Sequence, residues 1–223
     1  MSLGTPRLHL RVTDSTSDRA KRLAADGAPH GTLVTAAEQT AGHGRQGRTW
    51  SAPADEALLM SVVLRNWPEL LPLASAVAVA ETIGGDAAIK WPNDILVGDR
   101  KVAGILVEAR AQEGWAVLGI GINVAVREFP GELRDVAASL GREPSDIEPL
   151  LAALLEQLEH WIAAPAEAVL DAWRSRDALR GRPVRWAAGE GTAAGIDGDG
   201  RLVVELTGGG TTALDAGEVH LQR

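Results

Sequence analysis

The sequence predicts an α+β fold, in which a mixed, largely antiparallel sheet packed with helices is followed by a small β-barrel. Three observations favour this fold. Apolar, β-branched segments and amphipathic helices share most of the chain. Three consecutive strand-like segments are joined by links too short for parallel crossovers, so they are expected to be antiparallel neighbours. From about Leu179 the chain changes to short strands divided by Gly and Asp turns, which is typical of a small barrel.

Local signals predict the first elements in chain order. The segment "LHLRVT" is a strand that ends at Thr13, and the helix after it has Ser15 as its N-cap and Gly27 as its stop. The segments "GTLVTAAEQ" and "ALLMSVVLR" are strands on either side of a glycine-rich loop. The segment "ELLPLASAVAVAETIGG" is a buried helix, with Pro72 in its first turn and glycines at its end.

Three more strands and two helices complete the larger domain. The strands are "AAIKWPNDILV", "KVAGILVEAR" and "WAVLGIGINVAV", joined by the turns "GDR" and "AQEG". The helices are "DIEPLLAALLEQLEHWIAA" and "AEAVLDAWRSRDAL", in which apolar residues recur at three-to-four spacing. We therefore expect one domain over residues 1–179 and a small C-terminal β-barrel domain over residues 180–223.

The composition excludes several classes of function. The chain has 223 residues and no cysteine, which excludes disulfides, thiolate metal sites and cysteine nucleophiles. Its five histidines are scattered without metal-ligand spacing, so no metal ligands are assigned. The net charge of −8 argues against a general nucleic-acid binder. No apolar run is long enough to span a membrane or to form a leader, so we expect a cytoplasmic protein without a membrane partner.

The segment "AEQTAGHGRQGRTW" is a glycine loop in which Gly42, Gly44 and Gly47 have G-x-G-x-x-G spacing. The dinucleotide-binding turn of Rossmann proteins needs a helix directly after these glycines, and here a strand follows, so that interpretation is rejected. Arg45 and Arg48 offer fixed positive forks for oxygen anions. We favour a phosphate-binding loop over the alternative, a mobile surface loop with two ordinary arginines.

Two further segments carry polar side chains in apolar surroundings. In "IKWPNDILVGDRKVAGILVE" a tight hairpin would bring Lys90 and Lys101 together, where two ammonium groups need an anion. The alternative is that Lys90 pairs with Asp94 or Glu108 while Lys101 projects into water. In "GIGINV" the glycines indicate close approach of a ligand that Asn123 could orient, or else a bulge with a satisfied asparagine.

The segment "DSTSD", the glycine loop, "KWPNDILVGDRKVAGILVE" and "GIGINV", in this order and spacing, resemble biotin–protein ligases. The closing "GIDGDGRLVVE" and "GEVHL" are similar to the small SH3-like C-terminal barrel of that family. The resemblance implies a fold like that of class II synthetases, with a catalytic domain over 1–179. It also implies a ligase that makes biotinyl-5′-AMP from biotin and ATP. The biotin then passes to one lysine of a biotin carboxyl carrier protein, a subunit of acetyl-CoA or acyl-CoA carboxylase, and Mg²⁺ would accompany the ATP.

The resemblance also implies roles for individual residues. Lys101 and Arg45 would be catalytic, with Lys101 beside the biotin carboxylate and the α-phosphate. Apart from the resemblance, Asp94 is the candidate for the acceptor of the carrier lysine's proton. Trp50 would pack near the adenine. The expected biotin-binding residues are Ser15, Thr16, Gln39, Gly42, Arg45, Lys101, Gly104, Gly119 and Gly121. The expected nucleotide-binding residues are Arg45, Arg48, Trp50, Lys90, Asn93 and Asn123.

The sequence departs from the family pattern in three places. His43 stands where the family loop often has arginine, so one positive contact is expected to be weaker or pH-dependent. Ser17 stands where the family often has asparagine, which is a mild change at a helix start. Some relatives begin with a DNA-binding helix-turn-helix, whereas this sequence begins at the catalytic strand, so we expect no DNA partner. The remaining alternatives are a lipoate–protein ligase, a non-catalytic adenylate-binding regulator and a plain interaction module.

Overall fold

The computed structural model describes residues 2–215, 217 and 219–221. Within these residues the larger sheet has seven strands, in the spatial order β1-β2-β3-β7-β6-β5-β4. β1 and β2 are parallel, and the other neighbours are antiparallel, so the predicted mixed, largely antiparallel sheet is confirmed. The strands are β1 (Arg7–Thr13), β2 (Leu33–Gln39), β3 (Ala57–Leu64), β4 (Ala88–Lys90), β5 (Asp94–Val97), β6 (Arg100–Arg110) and β7 (Trp115–Asn123).

The described residues also form four α-helices, at the places that the sequence predicts. They are α1 (Thr16–Ala25), α2 (Leu71–Ile83), α3 (Ile147–Ala163) and α4 (Ala166–Arg174). Ser15 caps α1 as predicted, because its hydroxyl accepts from the backbone N–H of Asp18 at 3.3 Å. α2 starts with Pro72 in its first turn and ends at Gly84, whose φ of 75° is in the region that favours glycine.

One predicted strand is wrong. The segment "AAIKWPNDILV" is not continuous, because the chain reverses between β4 and β5 and pairs Lys90 with Asp94. Pro92 lies at this reversal and has no N–H to give to a sheet ladder, which explains why the strand cannot run through it. The reversal places Lys90, Trp91, Asn93 and Asp94 at the end of a hairpin.

A second, antiparallel sheet follows α4, in the spatial order β11-β10-β9-β8-β12. Its strands are β8 (Pro183–Trp186), β9 (Gly189–Ile196), β10 (Leu202–Leu206), β11 (Thr211–Leu214) and β12 (His220–Leu221). Buried residues of this sheet, among them Val184 and Leu202, belong to the same apolar core as α2 and α3. The indole N–H of Trp91 also donates to the carbonyl of Gly200 at 3.1 Å. The boundary at residue 180 stays a prediction.

The two faces of the larger sheet are covered differently. α2 and α3 pack on one face and form the main core with it, and α4 packs against α2 and β9. α1 packs on the other face, where Ala20 and Ala24 meet Val34, Val63 and Trp115. Since α1 is short, it covers only the end of that face near β2, β3 and β7. The strand surface beside its N-terminus is left for a cavity.

Candidate active site

The glycine loop folds into a short hairpin between β2 and β3. The backbone N–H of Trp50 donates to the carbonyl of Gly42 at 2.9 Å, and His43 forms an antiparallel bridge with Thr49. The tip is a single 3-10 turn over Arg45–Gly47, after which the chain runs on to β3. Because no helix follows the glycines, the rejection of a Rossmann turn is confirmed.

This hairpin closes over a cavity on the sheet, beside the start of α1. Lys90, Lys101 and the two loop arginines, Arg45 and Arg48, all line it, so the structure brings the two cationic segments together. The Nζ atom of Lys101 lies 2.6 Å from Oδ1 of Asp94 and 5.5 Å from the ring centroid of Trp50. Lys101 therefore faces the cavity rather than open solvent.

Positive charge accumulates in this cavity under partial burial. Burial lowers the pKa of Lys90, and the nearby charges of Lys101 and Arg48 lower it further, against an opposing effect of Asp94. Burial also lowers the pKa of Arg45 from its very high ordinary value, so the guanidinium stays charged. Among the described lining residues, Asp94 supplies the only carboxylate. Such an excess of cations attracts an anionic ligand.

A glycine pair and a tryptophan ring form the floor of the cavity. Gly104 on β6 is paired with Gly121 on β7. A β-carbon at Gly121 would come within 2.5 Å of Trp50 Cε2, and one at Gly104 within 3.0 Å of Trp50 Cζ3. The indole therefore lies flat on backbone that no side chain covers, and its N–H is buried without a hydrogen-bond partner in the described structure. Both glycines are needed for this close approach.

Hydroxyl and amide groups line the other end of the cavity. Oε1 of Gln39 accepts from the backbone N–H and the hydroxyl of Thr16, at 2.7 and 3.0 Å. The hydroxyl of Ser61 donates to that of Thr16 at 2.9 Å and lies 3.1 Å from that of Ser17. A β-carbon at Gly119 would be 2.6 Å from the Ser17 hydroxyl. The cavity thus has a neutral, hydrogen-bonding end and a cationic end.

Comparison with known proteins agrees with this geometry. A model described as the biotin/lipoate A/B protein ligase family matches residues 9–124, just over half of the chain. The chain belongs to the biotin/lipoate A/B protein ligase family. A model described as the biotin protein ligase C terminal domain matches residues 181–221. The predicted family and α+β fold class are therefore confirmed.

Individual relatives within this ligase family align over most of the chain. A protein of Mycobacterium tuberculosis named biotin–[acetyl-CoA-carboxylase] ligase is 34% identical, over 94% of this chain and 87% of its own length. The bifunctional ligase/repressor BirA of Bacillus spizizenii is 35% identical, over 93% of this chain and 71% of its own length. The solved structure of biotin protein ligase from Aquifex aeolicus in complex with biotin and ATP has a TM-score of 0.85 at 27% identity. It covers 98% of this chain and 99% of that one.

Two residues that the ligase resemblance placed at the ligands lie outside the cavity lining. Asn123 is buried, and its side-chain N–H donates to the carbonyl of Ala138 at 3.0 Å. This contact matches the satisfied-asparagine interpretation of its motif. Gly42 lies behind the loop, where a β-carbon would be 2.6 Å from Nε2 of Gln39. Gly42 therefore leaves room for a side chain that itself lines the cavity.

Two features around this ligase-family cavity were not predicted from the sequence. Ser61 does not line the cavity but supports Thr16 and Ser17, which do. It is the one polar residue in the apolar run of β3, which was a local signal that could have been used. Gly217 and Val219 line the cavity from the C-terminal segment, and no local signal indicates this. The pKa of the adjacent His220 is lowered by burial and by the charges of Lys90 and Arg48, so this segment lies beside the cationic end.

No group of three or more His, Cys, Asp or Glu side chains in residues 2–215, 217 and 219–221 is arranged to hold a metal ion. In the same residues no helix has both the length and the apolar character that crossing a bilayer requires.

Replacing the buried Lys90 by methionine is expected to stabilise the ligand-free protein. A lowered pKa means that folding works against the charged form, so this lysine costs stability in full below its lowered pKa, and the cost fades as the pH rises from that value to the ordinary pKa of lysine. We expect Lys90→Met to raise Tm at pH 7 by about 2–4 °C, the shift for about 1 kcal/mol in a chain of this size. Thermal melts at neutral and alkaline pH measure this, and the gain should shrink as the pH rises.

Lys21→Met is the matched control for this prediction. Burial lowers the pKa of Lys21, but its hydrogen bonds with Asp18 and Glu108 outweigh burial and raise it overall. Removing this lysine should therefore lower Tm. Equal shifts in the two variants would contradict the prediction.

Proposed function

We propose that this protein is an ATP-dependent biotin–protein ligase of the biotin–[biotin carboxyl carrier protein] type. The observation that carries the proposal is that the two ends of one cavity present different chemical groups. Hydroxyl and amide groups at the start of α1 and on β2 lie at one end, and Lys90, Lys101 and the loop arginines lie at the other. Biotin has a ureido ring at one end and a carboxylate at the other, so both ends find suitable partners. The likeness to an Aquifex ligase solved with biotin and ATP supports the same assignment.

In the first step, a carboxylate oxygen of biotin attacks the α-phosphorus of ATP. The bond to the bridging oxygen of the β-phosphate breaks, pyrophosphate leaves, and biotinyl-5′-AMP forms. Negative charge builds up between two anions, and the cations of Lys101 and Arg45 stabilise it more in the transition state than in the ground state. Asp94 orients Lys101 through their 2.6 Å ion pair.

In the second step, the neutral amine of a lysine on a biotin carboxyl carrier protein attacks the acyl carbon of the adenylate. The bond to the AMP oxygen breaks, AMP leaves, and an amide remains. We assign Asp94, the carboxylate at the cationic end, as the group that accepts the proton of the attacking amine. The closed glycine hairpin keeps water from the mixed anhydride meanwhile. The compartment proposed for this ATP-dependent reaction is the cytoplasm.

Magnesium is expected to arrive on the ATP phosphates. Asp94 is the carboxylate that the described cavity lining offers, and it is already paired with Lys101. This donor set suits an ion held mainly by phosphates and water, and does not suit an all-protein cage. When bound, the ion would neutralise charge on the leaving pyrophosphate.

A comparison of biotin and lipoate at equal concentrations tests which acid is the substrate. The protein is incubated with labelled biotin or with labelled lipoate, in each case with ATP and a carrier domain. The label on the carrier and the release of pyrophosphate are both measured. We expect biotin to be incorporated with matching pyrophosphate release. Incorporation of lipoate alone would favour a lipoate–protein ligase, and tight biotin binding without pyrophosphate would favour a non-catalytic regulator.

Arg45→Ala is expected to let the adenylate leak from the protein. Hydrogen bonds to charged groups contribute about 1.5–3 kcal/mol, so the half-life of bound biotinyl-5′-AMP should fall about tenfold or more. A chase with unlabelled adenylate measures the half-life. Arg185→Ala is the control, because that arginine pairs with Glu190 outside the cavity. An unchanged half-life in Arg45→Ala would argue against a role for the loop arginine.

A further inference from the structure

The floor of the cavity is already covered by side chains of the protein itself. The residues expected to bind biotin include Gly104, Gly119 and Gly121. A β-carbon at Gly121 would be 2.5 Å from Cε2 of Trp50, and one at Gly104 would be 3.0 Å from Cζ3 of the same ring. At Gly119 a β-carbon would be 2.6 Å from the hydroxyl of Ser17. Biotin and the indole of Trp50 therefore need the same strand surface.

The shape of this surface explains why a flat ring fits it. Gly104 on β6 is paired with Gly121 on β7, so the two bare Cα atoms lie side by side in the sheet. Neither glycine has a positive φ, so the backbone conformation alone would accept another residue. What requires glycine at both positions is the close approach of a flat group to the strands. That group is the indole of Trp50.

The indole of Trp50 is not fully satisfied in this position. Its N–H is buried and has no hydrogen-bond partner within the described part of the chain. A buried donor without a partner is costly. The ammonium of Lys101 lies 5.5 Å from the ring centroid, within the range of a cation–π contact, and the same ammonium is paired with Asp94. The ring is therefore held by weak contacts, which a ligand with satisfied polar groups can replace.

The backbone around Trp50 allows the ring to leave the floor. β2 ends at Gln39 and β3 begins at Ala57, so Trp50 belongs to neither strand. Its backbone N–H donates to the carbonyl of Gly42 at 2.9 Å, and residues 51–56 form no helix or strand. Turning the side chain, or moving it together with the hairpin, breaks no strand pair of the sheet. The indole can therefore uncover the floor while the rest of the site keeps its shape.

We propose that Trp50 makes an autoinhibitory contact, in which its indole occupies the floor formed by Gly104 and Gly121 until biotin displaces it. This inference rests on the proposed function, because biotin is taken as the ligand that displaces the ring. The protein must open before biotin can lie on the floor, so the association rate is reduced by the fraction of molecules that are open. An open fraction of about 10%, typical of a well-populated minor state, reduces that rate about tenfold.

The association rate of biotin tests this contact on the full chain. Labelled biotin is mixed with wild type, Trp50→Ala or Trp186→Ala without ATP, and the bound label is followed by rapid filtration. Trp186→Ala is the matched control, because a β-carbon at Gly189 would be 3.0 Å from the Trp186 ring, which does not line the cavity. We expect Trp50→Ala to bind biotin about tenfold faster than wild type, and Trp186→Ala to bind it at the wild-type rate.

Fluorine NMR without biotin tests the contact independently of binding. Wild type, Gly121→Ala and Gly131→Ala are labelled with 6-fluorotryptophan, and Trp50→Phe identifies the Trp50 signal. The difference in its chemical shift between H₂O and D₂O reports whether the ring is exposed. The ring should be shielded in wild type and Gly131→Ala. It should be exposed in Gly121→Ala, where the added methyl group meets the indole.

The two measurements separate this contact from other roles of Trp50. A side chain that only touches bound biotin would change the dissociation rate and leave the association rate as it is. An unchanged association rate in Trp50→Ala would therefore overturn the inference, and so would an exposed Trp50 signal in wild type. If the fluorine signals follow the expected pattern but no variant binds biotin, the contact of Trp50 with the floor stands and the proposed ligase function fails.

Discussion

Lys101→Ala is expected to reduce adenylate formation about a hundredfold to a thousandfold, the loss of about 2.7–4 kcal/mol seen when one preorganised stabilising group is removed from a transition state. The reason is geometric. The ammonium of Lys101 is held at 2.6 Å by Asp94 inside the cavity, so it is in place before the charge develops. The measurement is pyrophosphate release with biotin and ATP in excess, so that weaker binding alone cannot explain a lower rate.

This substitution should leave the fold intact. Asp94 still has Lys90 nearby to balance its charge, as the effect of Asp94 on the pKa of Lys90 indicates. Arg182→Ala is the matched control, since Arg182 lies 2.6 Å from Asp99 in an ion pair of the same length that does not line the cavity. Near-normal pyrophosphate release by Lys101→Ala would remove the assigned role, whereas a loss in both variants would indicate a general effect of losing a cation.

Gly121→Ala is expected to weaken biotin binding about tenfold to a hundredfold, within the range that about 1–3 kcal/mol of overpacking produces. The added methyl carbon would come within 2.5 Å of the indole of Trp50 and would project from the strand surface that the biotin bicycle is expected to cover. Even if the loop moves Trp50 away, the methyl group stays on the floor. Equilibrium binding of biotin, measured calorimetrically, gives the effect directly.

Gly131→Ala is the control for this prediction. A β-carbon at Gly131 has nothing within 4 Å, and its φ is outside the region that strains other residues, as is that of Gly121. The control should therefore bind biotin normally. Biotin affinity that is unchanged in Gly121→Ala would mean that the glycine floor is not part of the binding surface.

Much of this molecule could be predicted from sequence because its signals are local. The Ser15 cap, the Pro72 start of α2 and the placing of the glycine loop between two strands each depend on a few neighbouring residues. The convergence of Lys90 and Lys101 was predicted from the tight turn after β5, but it also depends on the reversal at Pro92, which brings Lys90 back beside Asp94. The prediction of one continuous strand through Pro92 was wrong, because it followed the strand-like pattern of the segment and did not allow for the missing N–H of proline.

Other features of the site depend on contacts between distant parts of the chain. The contact of the Trp50 ring with Gly104 and Gly121 joins a loop to two strands that lie far from it in sequence. The hydrogen bond from Ser61 to Thr16 spans 45 positions, so the spacing of either residue does not indicate it. The role of Asn123 near the nucleotide stays a prediction from the family resemblance; its side-chain N–H donates to the carbonyl of Ala138, 15 positions away.

The contribution of Gly217 and Val219 to the cavity wall has a practical consequence for engineering. A fluorescent protein or affinity tag fused after β12 would follow directly on a segment that lines the cavity, and we expect it to hinder access to the cavity. The same cargo attached ahead of β1, at the opposite edge of the larger sheet from β4, is expected to leave the cavity accessible. Reagents for labelling proteins in cells should therefore carry their cargo on the N-terminal side of this enzyme.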